Sequence, residues 1–172
     1  MENQPNPHRK SGMLMLAVAW LLLFAGAYWA FEGWYQRQHN PNPESLLMLQ
    51  QGDLVLQRNR DGQYVAEGTI NGHRVTFLVD TGATQVALSA ALAKNLGLKH
   101  EGEVVVQTAN GSTTGYQTRL NNVQLGPIEV RDVGALITHG MHDNSVLLGM
   151  SFLKQLEFTQ RGNQLTLKPL AL

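Results

Sequence analysis

The stretch "FLVDTGATQVALS", residues 77–89, ends an apolar run with an aspartate and leads straight into Thr-Gly. A carboxylate at the end of a buried strand is costly unless a partner or a reaction uses it. Two carboxylates at close quarters cannot both ionise, so they share one proton. Such a pair can hold a water, deprotonate it for attack on a peptide carbonyl and protonate the departing nitrogen. Asp80 is the candidate for one half of such a pair. Gly82 lets the backbone pass close to the carboxylates without a Cβ, and Thr81 offers a hydroxyl to tie two such loops together. Thr84 is expected to brace the loop by hydrogen bonding. The plain alternative is a strand-end turn in which Asp80 bonds only its own backbone.

Other candidate chemistry is thin. Asp53, Asp61, Asp132 and Asp143 lack the Thr/Ser-Gly that must follow a second copy of the motif. His139, His142 and Asp143 in "THGMHDN" have no third ligand at zinc-like spacing and read as a solvated loop, so neither metal nor cofactor is expected. The sequon "NGS" at 110–112 reads more economically as a turn. With no cysteine, disulfides and thiolate chemistry are excluded. A Gly-x-Ser-x-Gly elbow is absent too. Lys+Arg and Asp+Glu number 13 each, scattered along the chain, so no basic stripe argues for nucleic acid.

The elements that must position Asp80 read as strands and tight turns, and the domain as mainly β. "YVAEGTI" and "HRVTFLV" flank Asn71-Gly72, the signal of a type I′ hairpin. Ser89 caps a short helix, "AALAKNL", that Gly97 ends. "EVVVQTA" and "STTGYQTRL" flank Asn110-Gly111 as a second hairpin, whose small polar tip should project and move. "NNVQLGPIEVRDVGALI" supplies a third around Gly126-Pro127, "SVLLG" a buried strand, and "MSFLKQL" about two helical turns. "EFTQRGNQLTLK" closes the chain as a hairpin. A weak internal repeat sets Asp-Thr-Gly and Leu-Leu-Gly as equivalent points.

The N-terminus adds an anchor. Residues 13–31 carry no charge and would span roughly 28 Å as a helix, near the bilayer core. His8, Arg9 and Lys10 precede this run and Glu32 follows it, so the N-terminus (1–12) is expected in the cytoplasm and the rest outside. Trp29, Trp34 and Tyr35 would sit at the outer interface. Ala25-Gly26-Ala27 resembles a signal-peptidase site, but the apolar run exceeds the roughly 7 to 15 residues of a signal h-region, so a retained span is expected. Residues 32–52, with Pro41 and Pro43, read as a stalk, with 45–50 either a short helix or a pairing segment, and 53–172 as the folded domain.

Apolar strand, Asp-Thr-Gly, then a small residue and Thr resembles the active-site loop of the retropepsin-like (retroviral-type) aspartic proteases. Together with "TANG" and "LLGMSFL" it is most similar to the short membrane-anchored bacterial members, over Leu54 to Lys168. The resemblance implies a closed β-barrel half-fold and peptide-bond hydrolysis. It implies a homodimer in which Asp80 of each subunit meets its twin, because one chain holds one Asp-Thr-Gly. Ala83 belongs to the same loop. Thr108, Ala109, Asn110, Gly111 and Ser112 fall where the family has a flap that closes over an extended peptide. Leu147, Leu148 and Gly149 resemble the motif packed beneath the catalytic loop. Many viral members carry aspartate where this chain has Thr84. A periplasm-facing inner membrane follows from the resemblance alone. The competing reading is a catalytically silent module of the same fold that binds peptides or acts in assembly.

Overall fold

The computed structural model describes residues 8–43, 45, 52–108, 111–139, 141 and 145–170, with side chains from residue 12 onward and that of Thr108 excepted. The chain divides into two units, Met1–Arg37 and Gln38–Leu172. Helix α1, His8–His39, makes up the described part of the first unit and ends just inside the second. Its apolar side chains are exposed on every face, Trp20, Leu21 and Trp29 among them. Gly12–His39 is long and apolar enough to cross a membrane, a property shared with signal sequences. The helix runs on past residue 31, where the apolar run ends, and stops just before Pro41, which cannot donate a helical hydrogen bond.

The second unit is mainly β. It contains β1 Leu54–Gln57, β2 Tyr64–Ile70, β3 His73–Val79, β4 Val86–Ser89, α2 Ala90–Asn95, β5 Gly102–Thr108 and β6 Gly111–Leu125. These are followed by β7 Ile128–Thr138, β8 Ser145–Leu148, α3 Met150–Leu153, β9 Leu156–Arg161 and β10 Gln164–Pro169. In β2 buried residues alternate with half-buried ones, the period-two pattern of a strand with one face on a core. Asn71 and Gly72 join β2 to β3 with φ of 51° and 82°, the paired positive values that a type I′ turn requires.

Strand order β2-β3-β8-β4-β7-β6 closes on itself, because Thr69 and Ile70 of β2 pair with Gln124 and Val123 of β6. The result is a closed six-stranded barrel. Phe77, Leu88, Leu120, Ile137, Leu148 and Phe152 are fully buried in its core. Closure leaves the barrel strands no long open edge to solvate. β5 lies outside the ring, pairing with β6 from Gly102↔Gln117 to Thr108↔Gly111. β1, β10 and β9 form a separate three-stranded sheet in that order.

Several local expectations change. The β5–β6 pairing makes Gly111 the first residue of β6, with φ 110°, rather than part of the turn; Ala109 and Asn110 lie outside the described residues. "STTGYQTRL" and "NNVQL" belong to one continuous strand, β6. α3 is a single turn instead of two, since β9 claims the chain from Leu156. The internal repeat is real but shifted. β3 pairs in parallel with β8, and β4 with β7, so β8 corresponds to β4 rather than to the loop after β3. Gly149, which leads into α3, is therefore the equivalent of Ser89, which leads into α2, and not of Asp-Thr-Gly.

The expected stalk is also more structured than its composition suggested. The compact unit begins at Gln38. The Asn42 amide donates to Gln57 O and Val65 O (2.9 and 2.7 Å) and accepts from Gln57 N (2.7 Å), bridging β1 to β2. Ser45, 2% exposed, accepts from Glu67 N at 2.9 Å. These side chains satisfy backbone groups of β2 that its neighbouring strands leave open. Residues 46–51 lie outside the described residues.

Candidate active site

The loop from Asp80 to Gln85 links β3 to β4, and the end of β8 runs between those two strands, pairing with both. That threading fixes the loop from below. Asp80 N donates to Leu148 O (3.2 Å), and Met150 N donates to Ala83 O (2.8 Å). Val86 N donates to Ser151 Oγ (2.9 Å). Gly149 is the residue that makes the approach possible. A Cβ there would lie 2.3 Å from Gln85 O and 2.7 Å from Ala83 O, distances no side chain tolerates. Leu148 is fully buried beneath the loop.

Within the loop, the Asp80 carboxylate accepts from Gly82 N through Oδ1 (2.9 Å), and Ala83 N donates to Asp80 O (3.3 Å). A Cβ at Gly82 would approach that carboxylate oxygen to 3.2 Å, so glycine keeps the carboxylate uncrowded. Asp80 is half-buried, whereas Thr81 and Gly82 are exposed at the tip. Thr84 does not brace the loop: it is exposed, and among the described residues its hydroxyl has no hydrogen bond. The bracing comes from Met150 N and Ser151 Oγ, which meet loop groups that would otherwise lack partners.

Asp80, Gly82, Ala83 and Thr84 line a cavity of about 860 Å³ to which the β5–β6 hairpin also contributes lining residues. Gly111 and Ser112, from the start of β6, reach the same cavity, so the structure brings the two predicted groups of site residues together. Thr108 is the last residue of β5 and pairs with Gly111. Leu147 faces the cavity, a difference from its expected place under the loop, because alternation along β8 turns Leu147 outward and Leu148 inward. Val104 and Val106 of β5, Gln117 of β6, Leu136 of β7 and Met141 are among the other apolar and amide lining residues. Sequence reasoning missed these residues, and Ser151 as well. The alternation along β5 and β6 could have signalled the first group; nothing in the local sequence marks Ser151. Among the described lining residues Asp80 is the only ionisable one. Of the histidine-rich stretch, His142 and Asp143 lie outside the described residues, and His139 stands edge-on to Tyr116, 6.1 Å between ring centroids.

The comparisons with known proteins agree with this geometry. Residues 66–155, from β2 to just past α3, match the model of the family described as "gag-polyprotein putative aspartyl protease". The chain is 30% identical to a retropepsin-like aspartic protease from Rickettsia conorii of known crystal structure. That match has a TM-score of 0.56 and covers 67% of this chain and 88% of the other. It is also 38% identical over 123 residues to an uncharacterized protein of the cobV 5′ region in Sinorhizobium sp, and 30% identical over 149 residues to an uncharacterized protein of Rickettsia prowazekii. Those alignments cover 69% and 83% of this chain but only 52% and 64% of the relatives' own lengths. With barrel, loop and family model in accord, this chain belongs to the retropepsin-like aspartic protease family.

Proposed function

We propose that the chain is a membrane-anchored aspartic endopeptidase, homodimeric, in which Asp80 of each subunit supplies half of one dyad. The observation that carries this reading is the Asp80 carboxylate. It accepts from Gly82 N and lines a cavity that has no other ionisable lining group among the described residues. A dyad sharing one proton binds a water between its carboxylates. One Asp80 takes a proton from that water as it attacks the peptide carbonyl; the other, protonated, donates to the departing nitrogen. In this reading the exposed Thr81 hydroxyls tie the two loops together. The β5–β6 hairpin acts as the flap, with Thr108 to Ser112 at its tip laying main-chain groups along an extended peptide. Leu147 contributes to a side pocket, while Leu148 and Gly149 hold the loop.

Residues 13–31 serve as the membrane span in this reading, with 1–12 in the cytoplasm, 53–172 as the protease domain, and the segment between them as its connection. The bacterial sources of the matched relatives favour an inner membrane with the domain facing the periplasm. Tethering in a membrane raises the effective concentration of partners, so weak self-association suffices there. The test is Asp80→Asn in the full-length chain. Peptide cleavage should fall by roughly a thousandfold or more, with circular dichroism unchanged. Cleavage at the wild-type rate by this variant would overturn the assignment.

A further inference from the structure

The connection between the apolar run and the folded unit is shorter than its composition suggests. The compact unit opens at Gln38, and its first residues are fastened one after another. Gln38 O accepts from Arg60 N (3.3 Å) and Gln38 Oε1 from Arg60 Nη1 (3.1 Å), while His39 O accepts from Asn59 Nδ2 (3.1 Å). Both carbonyls lie at the C-terminal end of α1, where the helix itself supplies no partner. Asn40 Nδ2 donates to Glu67 Oε1 (2.9 Å), an oxygen that also accepts from Thr76 Oγ1 (3.0 Å). Asn42 and the buried Ser45 continue the series onto β1 and β2, and Pro41 and Pro43 fix φ beside them. Fastened at so many points, Gln38 and the residues that follow it belong to the folded unit and add nothing to the reach of the tether.

We infer that the substrate is the extended flank of a protein anchored in the same bilayer, selected by the short reach of this tether. This rests on the reading of residues 13–31 as a retained span and of Asp80 as half of a peptidase dyad, and adds to it the class of substrate. From residue 31, where the apolar run ends, to Gln38 the chain spans about 25 Å fully extended and about 10 Å as helix. A stalk free over residues 32–52 would have reached about 70 Å. A unit the size of Gln38–Leu172 is about 40 Å across, so in any orientation the Asp80 cavity stays within about 65 Å of the membrane. A peptide bond held farther out than that is beyond the enzyme. The flank of a neighbour in the same membrane is instead confined to the layer that the cavity sweeps, which raises its effective concentration.

The test puts the full-length chain and a single-span reporter into the same lipid vesicles, domain and reporter flank on one side. The reporter carries a sequence that the chain cuts as a free peptide in detergent, picked from a random peptide library. That sequence stands either directly after the reporter's span or beyond a helical spacer of about 80 residues, roughly 120 Å long. In vesicles the near site should be cut at least about tenfold faster than the far one, and in detergent both equally. A flexible Gly-Ser insertion of about 60 residues between Phe31 and Glu32 should narrow the vesicle difference to about threefold. Docking has its own readout: the Gln57 and Glu67 amides, which donate to Asn42 Oδ1 and Ser45 Oγ, should exchange hydrogen slowly in the vesicle-bound chain. Equal cutting of near and far sites in vesicles, or fast exchange at both amides, would overturn this inference and leave the endopeptidase reading standing. A chain that cuts no library peptide in detergent, or a domain found free of the vesicles, would overturn the underlying reading and this inference with it.

Discussion

In the first half of the barrel β3 runs out into an exposed loop that carries Asp80; in the second, β8 runs into the buried Leu148 and then Gly149. The two halves share a plan, β3 pairing in parallel with β8 and β4 with β7, yet the corresponding helix-leading positions hold opposite solutions. Ser89 caps α2, its Oγ accepting from Leu92 N at 3.1 Å. Gly149 leads into α3 with no side chain to cap it, because any side chain there would strike the loop bearing Asp80. One half displays the Asp80 carboxylate, and the other gives up local stabilisation to hold its loop in place.

The strongest way to break this comparison is Leu148→Ala. It should cost about 3 kcal/mol in urea unfolding by opening a cavity under the loop, and peptide cleavage should fall with it. A cost below about 1 kcal/mol would mean that the loop does not depend on that support. Next, Gly149→Ala should cost about 2 kcal/mol, since its Cβ meets backbone carbonyls that cannot shift without losing the Met150–Ala83 bond. Gly82→Ala meets only a carboxylate oxygen at 3.2 Å and should leave urea stability nearly unchanged. Equal costs at the two glycines would erase the distinction between display and support.

Ser89→Ala sharpens the comparison from the other side. Losing the cap should cost about 1 kcal/mol, read by chemical denaturation, with no direct effect on cleavage. The smallest effect belongs to the peripheral sheet. Lys168 pairs with Asp53 at 3.0 Å, and that hydrogen bond, followed by the carboxylate's charge, raises the lysine above its ordinary pKa. A raised lysine contributes its stabilisation fully at lower pH and loses it as pH rises through the raised value, so the window lies in strong alkali. Lys168→Met should therefore shift the melting temperature at pH 7 by no more than about 1 °C, as expected for an exposed pair.

Much of this architecture was legible in the chain. Alternation in "YVAEGTI" and the Asn71-Gly72 turn gave the first hairpin, because side-chain period and backbone φ are local properties. Ser89 and Gly97 bracketed α2 for the same reason. Errors gathered where partners are distant. Docking of Asn42 and Ser45 onto β1 and β2 gave order to a proline-bearing stretch whose composition suggested none. Thr84 was given a brace that Ser151 supplies from far along the chain.

By itself the sequence determined that Asp80, Thr81 and Gly82 follow an apolar strand, that an apolar segment long enough to cross a membrane lies near the N-terminus, and that the chain holds one such aspartate motif. Those are matters of residue type and short-range spacing. Only the tertiary structure decided that Leu148, Gly149 and Ser151 hold the loop and that Gly111 and Ser112 reach Asp80's cavity. These depend on barrel closure and strand register, which arise from long-range pairings and the fit of one backbone against another.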